Sequence, residues 1–144
     1  NLKMATITAT INLTSPDITG DPLNLSKTSV LNKAATATGL DQFTGITTVV
    51  YSTAQTAKKI VDAGDYIANS GSAANGHKVY IKNSATGSSD FVTVELGGSN
   101  VLMGRLYPGD WCFFPYDGTL DVDIDTSAAN MKVEYGVFSQ STAT

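Results

Sequence analysis

From Ala5 to Leu13, Thr6, Thr8, Thr10 and Asn12 alternate with Ile7, Ala9, Ile11 and Leu13. A period of two sends alternate side chains to opposite faces, so the segment predicts a strand with one apolar face. Ser15-Pro16-Asp17 ends it. Leu23 to Leu31 reads as a second extended stretch, but its apolar positions change phase between Leu25 and Val30, as in a bent strand or part of an arm. Asn32 to Gly39 is weakly patterned and reads as loop. Gly45 to Tyr51 is a β-branched run and the next strand. Ser52 to Ala63 fits a bent strand centred on Ile60-Val61, with a short helix capped by Ser52 as the alternative. Asn69 to Gly76 is a turn-rich loop.

Further on the signals sharpen. His77 to Asn83 and Phe91 to Leu96 are two strands joined by the polar stretch from Ser84 to Asp90, and Gly97-Gly98-Ser99-Asn100 turns the chain again. Val101 to Leu106, Trp111 to Phe114, Leu120 to Ile124 and Met131 to Phe138 follow. They are separated by Pro108-Gly109, Pro115 to Gly118 and Thr126 to Asn130. About eight strands without a long amphipathic helix predict an all-β protein, a jelly-roll-like β-sandwich formed by one domain over residues 1–144. Residues 1–37 are its extended arm, reaching over a neighbour. Met4-Ala5-Thr6 reads as an ordinary start, with Asn1-Leu2-Lys3 outside the fold.

Composition agrees. The 144 residues include 19 Thr, 13 Ser and 13 Gly, with 11 Asp against 2 Glu and 8 Lys against 1 Arg. Such a neutral polar surface, poor in Glu and Arg, suits pleated sheets and their turns better than helices. A net charge of −4 and a largest basic cluster of only Lys58-Lys59 argue against nucleic-acid binding. No apolar run reaches the ~18 residues of a membrane-spanning helix, and no export signal opens the chain. Cys112, the single cysteine, reads as a small buried hydrophobe between Trp111 and Phe113.

The candidates for chemistry are few. Gly71 to Lys78 approaches the phosphate-loop pattern, but His77 and Lys78 occupy the Lys and Ser/Thr places and a strand follows, so a plain turn is expected. His77, the single histidine, is expected on the surface beside Gly76. Glu95 and Glu134 lie in separate strands, and no Gly-x-Ser-x-Gly elbow is present. No catalytic site and no cofactor are expected. Asp117, Asp121, Asp123 and Asp125 form the densest charge feature. The last three share one strand face, where they are either solvated or able to hold Ca²⁺. Asn12 and Asn24 open glycosylation sequons of a kind frequent by chance in a Thr-rich chain.

Tyr107, Trp111, Phe113, Phe114 and Tyr116 concentrate the burial energy of the chain. Neighbouring aromatics on a strand cannot all face inward, so part of the group must meet a second sheet, a covering loop or another subunit, or stack on sugar rings. With Ile7, Ile11 and Leu13 they are the candidate interface residues.

Tyr80-Ile81-Lys82-Asn83, the turn Pro108-Gly109-Asp110, the aromatic strand ending at Pro115 and the closing Val133-Glu134-Tyr135-Gly136-Val137-Phe138 resemble small structural proteins of tailed bacteriophages. The resemblance covers Val79 to Phe138. It implies a virion component that is not an enzyme: a capsid decoration protein, commonly a trimer, or a tail-associated protein, with capsid or tail proteins as partners. The alternative is a carbohydrate-binding or receptor-binding module of a tail or fibre.

Overall fold

The structure, a computed structural model, describes residues 7–18, 20, 22–31, 40–66, 76–99 and 101–139. The expected loops at 32–39 and 69–75, the chain start at 1–6 and the phosphate-loop-like segment before Gly76 lie outside them. The fold is all-β. Eleven strands occur among the described residues: β1 (Thr8–Ser15), β2 (Leu23–Val30), β3 (Gln42–Phe43), β4 (Thr47–Tyr51), β5 (Lys58–Val61), β6 (His77–Asn83), β7 (Val92–Leu96), β8 (Val101–Leu106), β9 (Trp111–Tyr116), β10 (Val122–Thr126) and β11 (Met131–Ser139). A single 3₁₀ turn at Ala63–Asp65 interrupts them, its first amides capped by Asp62.

Two antiparallel sheets form a sandwich. One runs β5-β10-β7-β8; the other runs β3-β11-β6-β9, with β4 on the same edge of β11 as β3. The pairing is nested: β4 with β11, β5 with β10, β6 with β9 and β7 with β8, the fold-back being closed by β11 on β6 and β10 on β7. Alternation builds the core between the sheets. Val79 and Ile81 of β6, Met131, Val133 and Val137 of β11, and Phe114 and Tyr116 of β9 face Val92 and Val94 of β7 and Val122 and Ile124 of β10. Each such side chain contributes roughly 1.5–3 kcal/mol on burial.

Several strand ends depart from the sequence reading. β9 continues through Pro115 to Tyr116, where a turn was expected. Among the described strands it lies at the sheet edge, paired with β6 alone, so a residue without an N–H does no harm there. β10 runs from Val122 to Thr126 instead of Leu120 to Ile124. β3 was not expected at all, because two residues carry no periodicity. The Pro108-Gly109 turn is as read: the Asp110 amide donates to the Tyr107 carbonyl at 2.8 Å, and Gly109 takes a φ of 88° that a side chain would resist.

The described part of the expected arm is a separate two-stranded ribbon, β1 paired with β2 from Thr8↔Val30 to Ser15↔Leu23. Its strands pack on each other and make no more than marginal contact with the sandwich strands. It is joined to the sandwich through Leu31, whose amide donates to the Ile7 carbonyl and whose carbonyl accepts from Leu40, each within 2.9 Å.

Candidate functional site

The aromatic residues singled out in the sequence separate into three places. Phe114 and Tyr116 belong to the core, and the Tyr116 hydroxyl donates to the Leu120 carbonyl at 2.6 Å, so neither is presented to a partner. Tyr107 is exposed on the β8–β9 turn beside Phe91, whose ring carries the Arg105 guanidinium 4.0 Å above its centre. Trp111 and Phe113, on the other phase of β9, project from the outer face of the larger sheet.

That outer face is the most developed surface feature. Register sets its rows: Glu134, Lys82 and Trp111 lie abreast, then Gly136, Tyr80 and Phe113, then Phe43, Phe138, Lys78 and Pro115. Phe43 and Phe138 stack with ring centres 4.5 Å apart and planes within 9°, and Phe113 meets Phe138 edge-on at 5.9 Å. Tyr80 tilts against Trp111 at 6.5 Å. Five aromatic rings thus occupy one face of the sheet, where Trp111 is 52% and Phe43 48% exposed. Among the strand residues of these rows Lys78, Lys82 and Lys132 stand with one acid, Glu134, so this part of the face is locally cationic on a chain of net charge −4. Phe43, Tyr80 and Phe138 were missed in the sequence, although the phase of Tyr80 and Phe138 against the buried Val79, Ile81 and Val137 places them opposite the core.

On the ribbon, Ile11 and Leu13 are exposed and Ile7 is half-buried at its root. Register aligns Ala9 with Ser29, Ile11 with Lys27, Leu13 with Leu25 and Ser15 with Leu23 on one side. The other side carries Thr8, Thr10, Asn12 and Thr14 opposite Val30, Thr28, Ser26 and Asn24. The alternation read in β1 therefore has an apolar side that no described element covers.

The aspartate row, read as solvated or able to hold Ca²⁺, is in the structure largely taken up by backbone amides. Asp121 Oδ1 accepts the Ala63 amide at 2.9 Å and its Oδ2 meets Lys59 Nζ at 3.0 Å. Asp123 is buried, and its Oδ2 accepts the Gly98 amide at 2.7 Å. Asp125 Oδ1 accepts the Ala57 amide at 2.6 Å, and Asp117 Oδ1 accepts both the amide and the hydroxyl of Thr119. The carboxylates of Asp121, Asp123 and Asp125 fasten loops to β10 and its leading residue, and that of Asp117 closes its own turn. Hydrogen bonds from Ala63 and Lys59 lower the pKa of Asp121, and those from Thr119 lower that of Asp117. Among the described residues no three His, Cys, Asp or Glu side chains converge as metal ligands would.

His77 was expected at the surface and is fully buried at the start of β6. The Tyr66 ring meets its imidazole edge-on at 5.5 Å, and Tyr116 lies at 6.4 Å. The Tyr66 backbone is close enough to favour the charged form, yet neither ring nitrogen has a hydrogen bond of good geometry. Burial dominates and lowers its pKa. Cys112 is half-buried against the core, and loss of solvent pushes its thiol up to about 11.

No described helix is long and apolar enough to cross a membrane. No protein-family model, no curated protein and no solved structure matches the chain.

Proposed function

We propose that the chain is a non-enzymatic structural protein of a tailed-phage virion, most specifically a capsid decoration protein that works as a trimer on the particle surface. The observation that carries this reading is the outer face of the larger sheet, where Phe43, Tyr80, Trp111, Phe113 and Phe138 form an aromatic surface interleaved with Lys78 and Lys82. An adhesive face spread over four strands suits a broad protein partner, and repeated copies on a lattice obtain avidity from contacts that are individually small. The nested strand order supports taking the sandwich as a jelly roll, an architecture shared by viral capsid and lectin domains. Fold alone does not assign function, and the sequence resemblance supplies the choice of virion.

The test is mass spectrometry and quantitative gel analysis of purified particles of the phage encoding the chain. A fixed copy number per capsid is expected, with loss on stripping and return on adding the purified protein. Particles that lack the chain would exclude the reading.

Trp111 beside Tyr80 favours a second reading, a carbohydrate-binding module of a tail or fibre, since paired exposed aromatics can stack on pyranose rings. Glycan binding that disappears in Trp111→Ala, with no copies on the capsid shell, would select it.

A further inference from the structure

We infer that the apolar side of the β1–β2 ribbon docks on the aromatic outer face of the larger sheet in a second copy of this chain. This deepens the virion reading, on which it rests for its context, by naming the first partner as the chain itself.

A two-stranded hairpin alone in water is marginal at best and needs a third strand or a packed face. Among the described residues this ribbon has neither, yet its length of eight residues per strand and its in-register apolar side are those of a packed element. Ile11, Leu13 and Leu23 are 40%, 42% and 37% exposed. Ordering them costs conformational entropy that self-pairing alone does not recover. The sandwich shows the converse, an organised aromatic face that, apart from the loop of Phe43 to Ile46 over Gly136, no described element covers.

The two surfaces match in size and charge. The apolar side of the ribbon runs roughly 20 Å from Ile7 to Leu13 at the strand rise. The aromatic rows cross four strands, roughly 14 Å. The ribbon carries one cation, Lys27, on that side and an exposed acid, Asp17, at its tip. The sheet face offers Glu134 for the first and Lys78, Lys82 and Lys132 for the second.

The root of the ribbon brings it within reach of a neighbour's face. The ribbon is rooted where Leu40 bonds Leu31 and Asp41 bonds the Ser139 carbonyl, beside Phe43 and Phe138. Root and docking face adjoin, so copies meeting there can each lay an arm on the next, a head-to-tail contact that closes as a ring.

The experiment combines sedimentation with Trp111 fluorescence on the full chain across a range of concentrations. The variants are Ile11→Asp/Leu13→Asp on the ribbon and Phe113→Lys on the face. The ribbon variant cannot unfold a sandwich it does not pack against, and melting curves check both proteins. Wild type is expected to associate, with Trp111 emission shifting to the blue as the arm covers it. Each variant should weaken association at least about ten-fold and leave the emission of Trp111 red. A wild type that remains monomeric with a solvent-exposed Trp111, or either variant associating as wild type does, would overturn the inference. Because this reads the purified chain, its failure is distinct from absence of the chain from particles.

Discussion

Asn83 donates from Nδ2 to the Leu106 carbonyl at 2.9 Å, tying the last residue of β6 in one sheet to the last of β8 in the other. The same amide reaches the Asp90 carbonyl at 3.2 Å, and its Oδ1 accepts the Ala85 amide at 2.9 Å. All of this takes place at a fully buried position. A buried polar group with its partners satisfied holds geometry; removing it leaves those partners unpaired. Asn83→Leu, close in size, should therefore destabilise by about 2–3 kcal/mol. Urea denaturation followed by Trp111 fluorescence measures this, and a loss below about 0.5 kcal/mol would show that solvent replaces the bonds.

The Asp125 carboxylate receives the amide of Ala57, a residue held at a left-handed φ of 46°. That conformation costs an alanine about 1 kcal/mol or more, whereas glycine adopts it freely. Ala57→Gly should stabilise the chain by up to about 1 kcal/mol, and Asp125→Ala should destabilise it by a similar amount. A chelator should leave the melting temperature of the wild type unchanged, because the carboxylate row is occupied by backbone amides. A melt lowered by chelator would show a cation-dependent fold instead.

This row shows where sequence reading stops. The alternation of Asp121, Asp123 and Asp125 with Val122 and Ile124 was legible, and so were the bounds of β6 and β8, because period two is local. The partners of the carboxylates were not legible: Ala57 precedes Asp125 by 68 residues, Ala63 precedes Asp121 by 58 and Gly98 precedes Asp123 by 25. The candidate face was half legible for the same reason. Trp111 and Phe113 stood out as a local cluster, but their company with Phe43, Tyr80 and Phe138 depends on cross-strand register. His77 was misread because Gly76 signals a turn, while burial is set by Tyr66 and Tyr116 from distant segments.

Stability should depend on pH through His77. Its pKa is lowered in the folded chain, chiefly by burial, from the ordinary 6.5 of an exposed imidazole. Above pH 6.5 both states are neutral and the group has no effect. Below it the unfolded chain binds a proton that the folded chain resists, so stability falls as pH drops, until the lowered folded pKa is reached. The slope contributed by this one residue is at most about 1.4 kcal/mol per pH unit. His77→Phe should flatten the stability curve just below pH 6.5 relative to wild type. Equal slopes in the two proteins would assign the acid sensitivity elsewhere.

Cys112 should resist thiol reagents in the folded chain. Its thiol, raised to about 11 by burial against the core, leaves little thiolate at pH 8. Labelling with a disulfide reagent at that pH is expected to be slow in buffer and rapid in denaturant. Equally fast reaction in buffer would mean that β9, an edge strand, opens readily from β6.

Gly136 lies beneath the loop that brings Phe43 onto Phe138. A Cβ there would stand 2.9 Å from the Gly45 carbonyl oxygen and 3.0 Å from the Phe43 ring. Both neighbours would have to move, and the backbone oxygen has little freedom to do so. Gly136→Val should therefore cost about 1–3 kcal/mol as an overpacked contact. It should also displace Phe43 from its stack, loosening one end of the aromatic face while β6 and β9 keep the other. Near-ultraviolet circular dichroism reads the aromatic environment, and hydrogen exchange at Thr44, whose amide donates to the Val137 carbonyl, reads the loop. Faster exchange at Thr44 with unchanged exchange at Ile81 is the expected pair of results. Unchanged exchange at both sites would show that the loop absorbs the added volume without releasing Phe43.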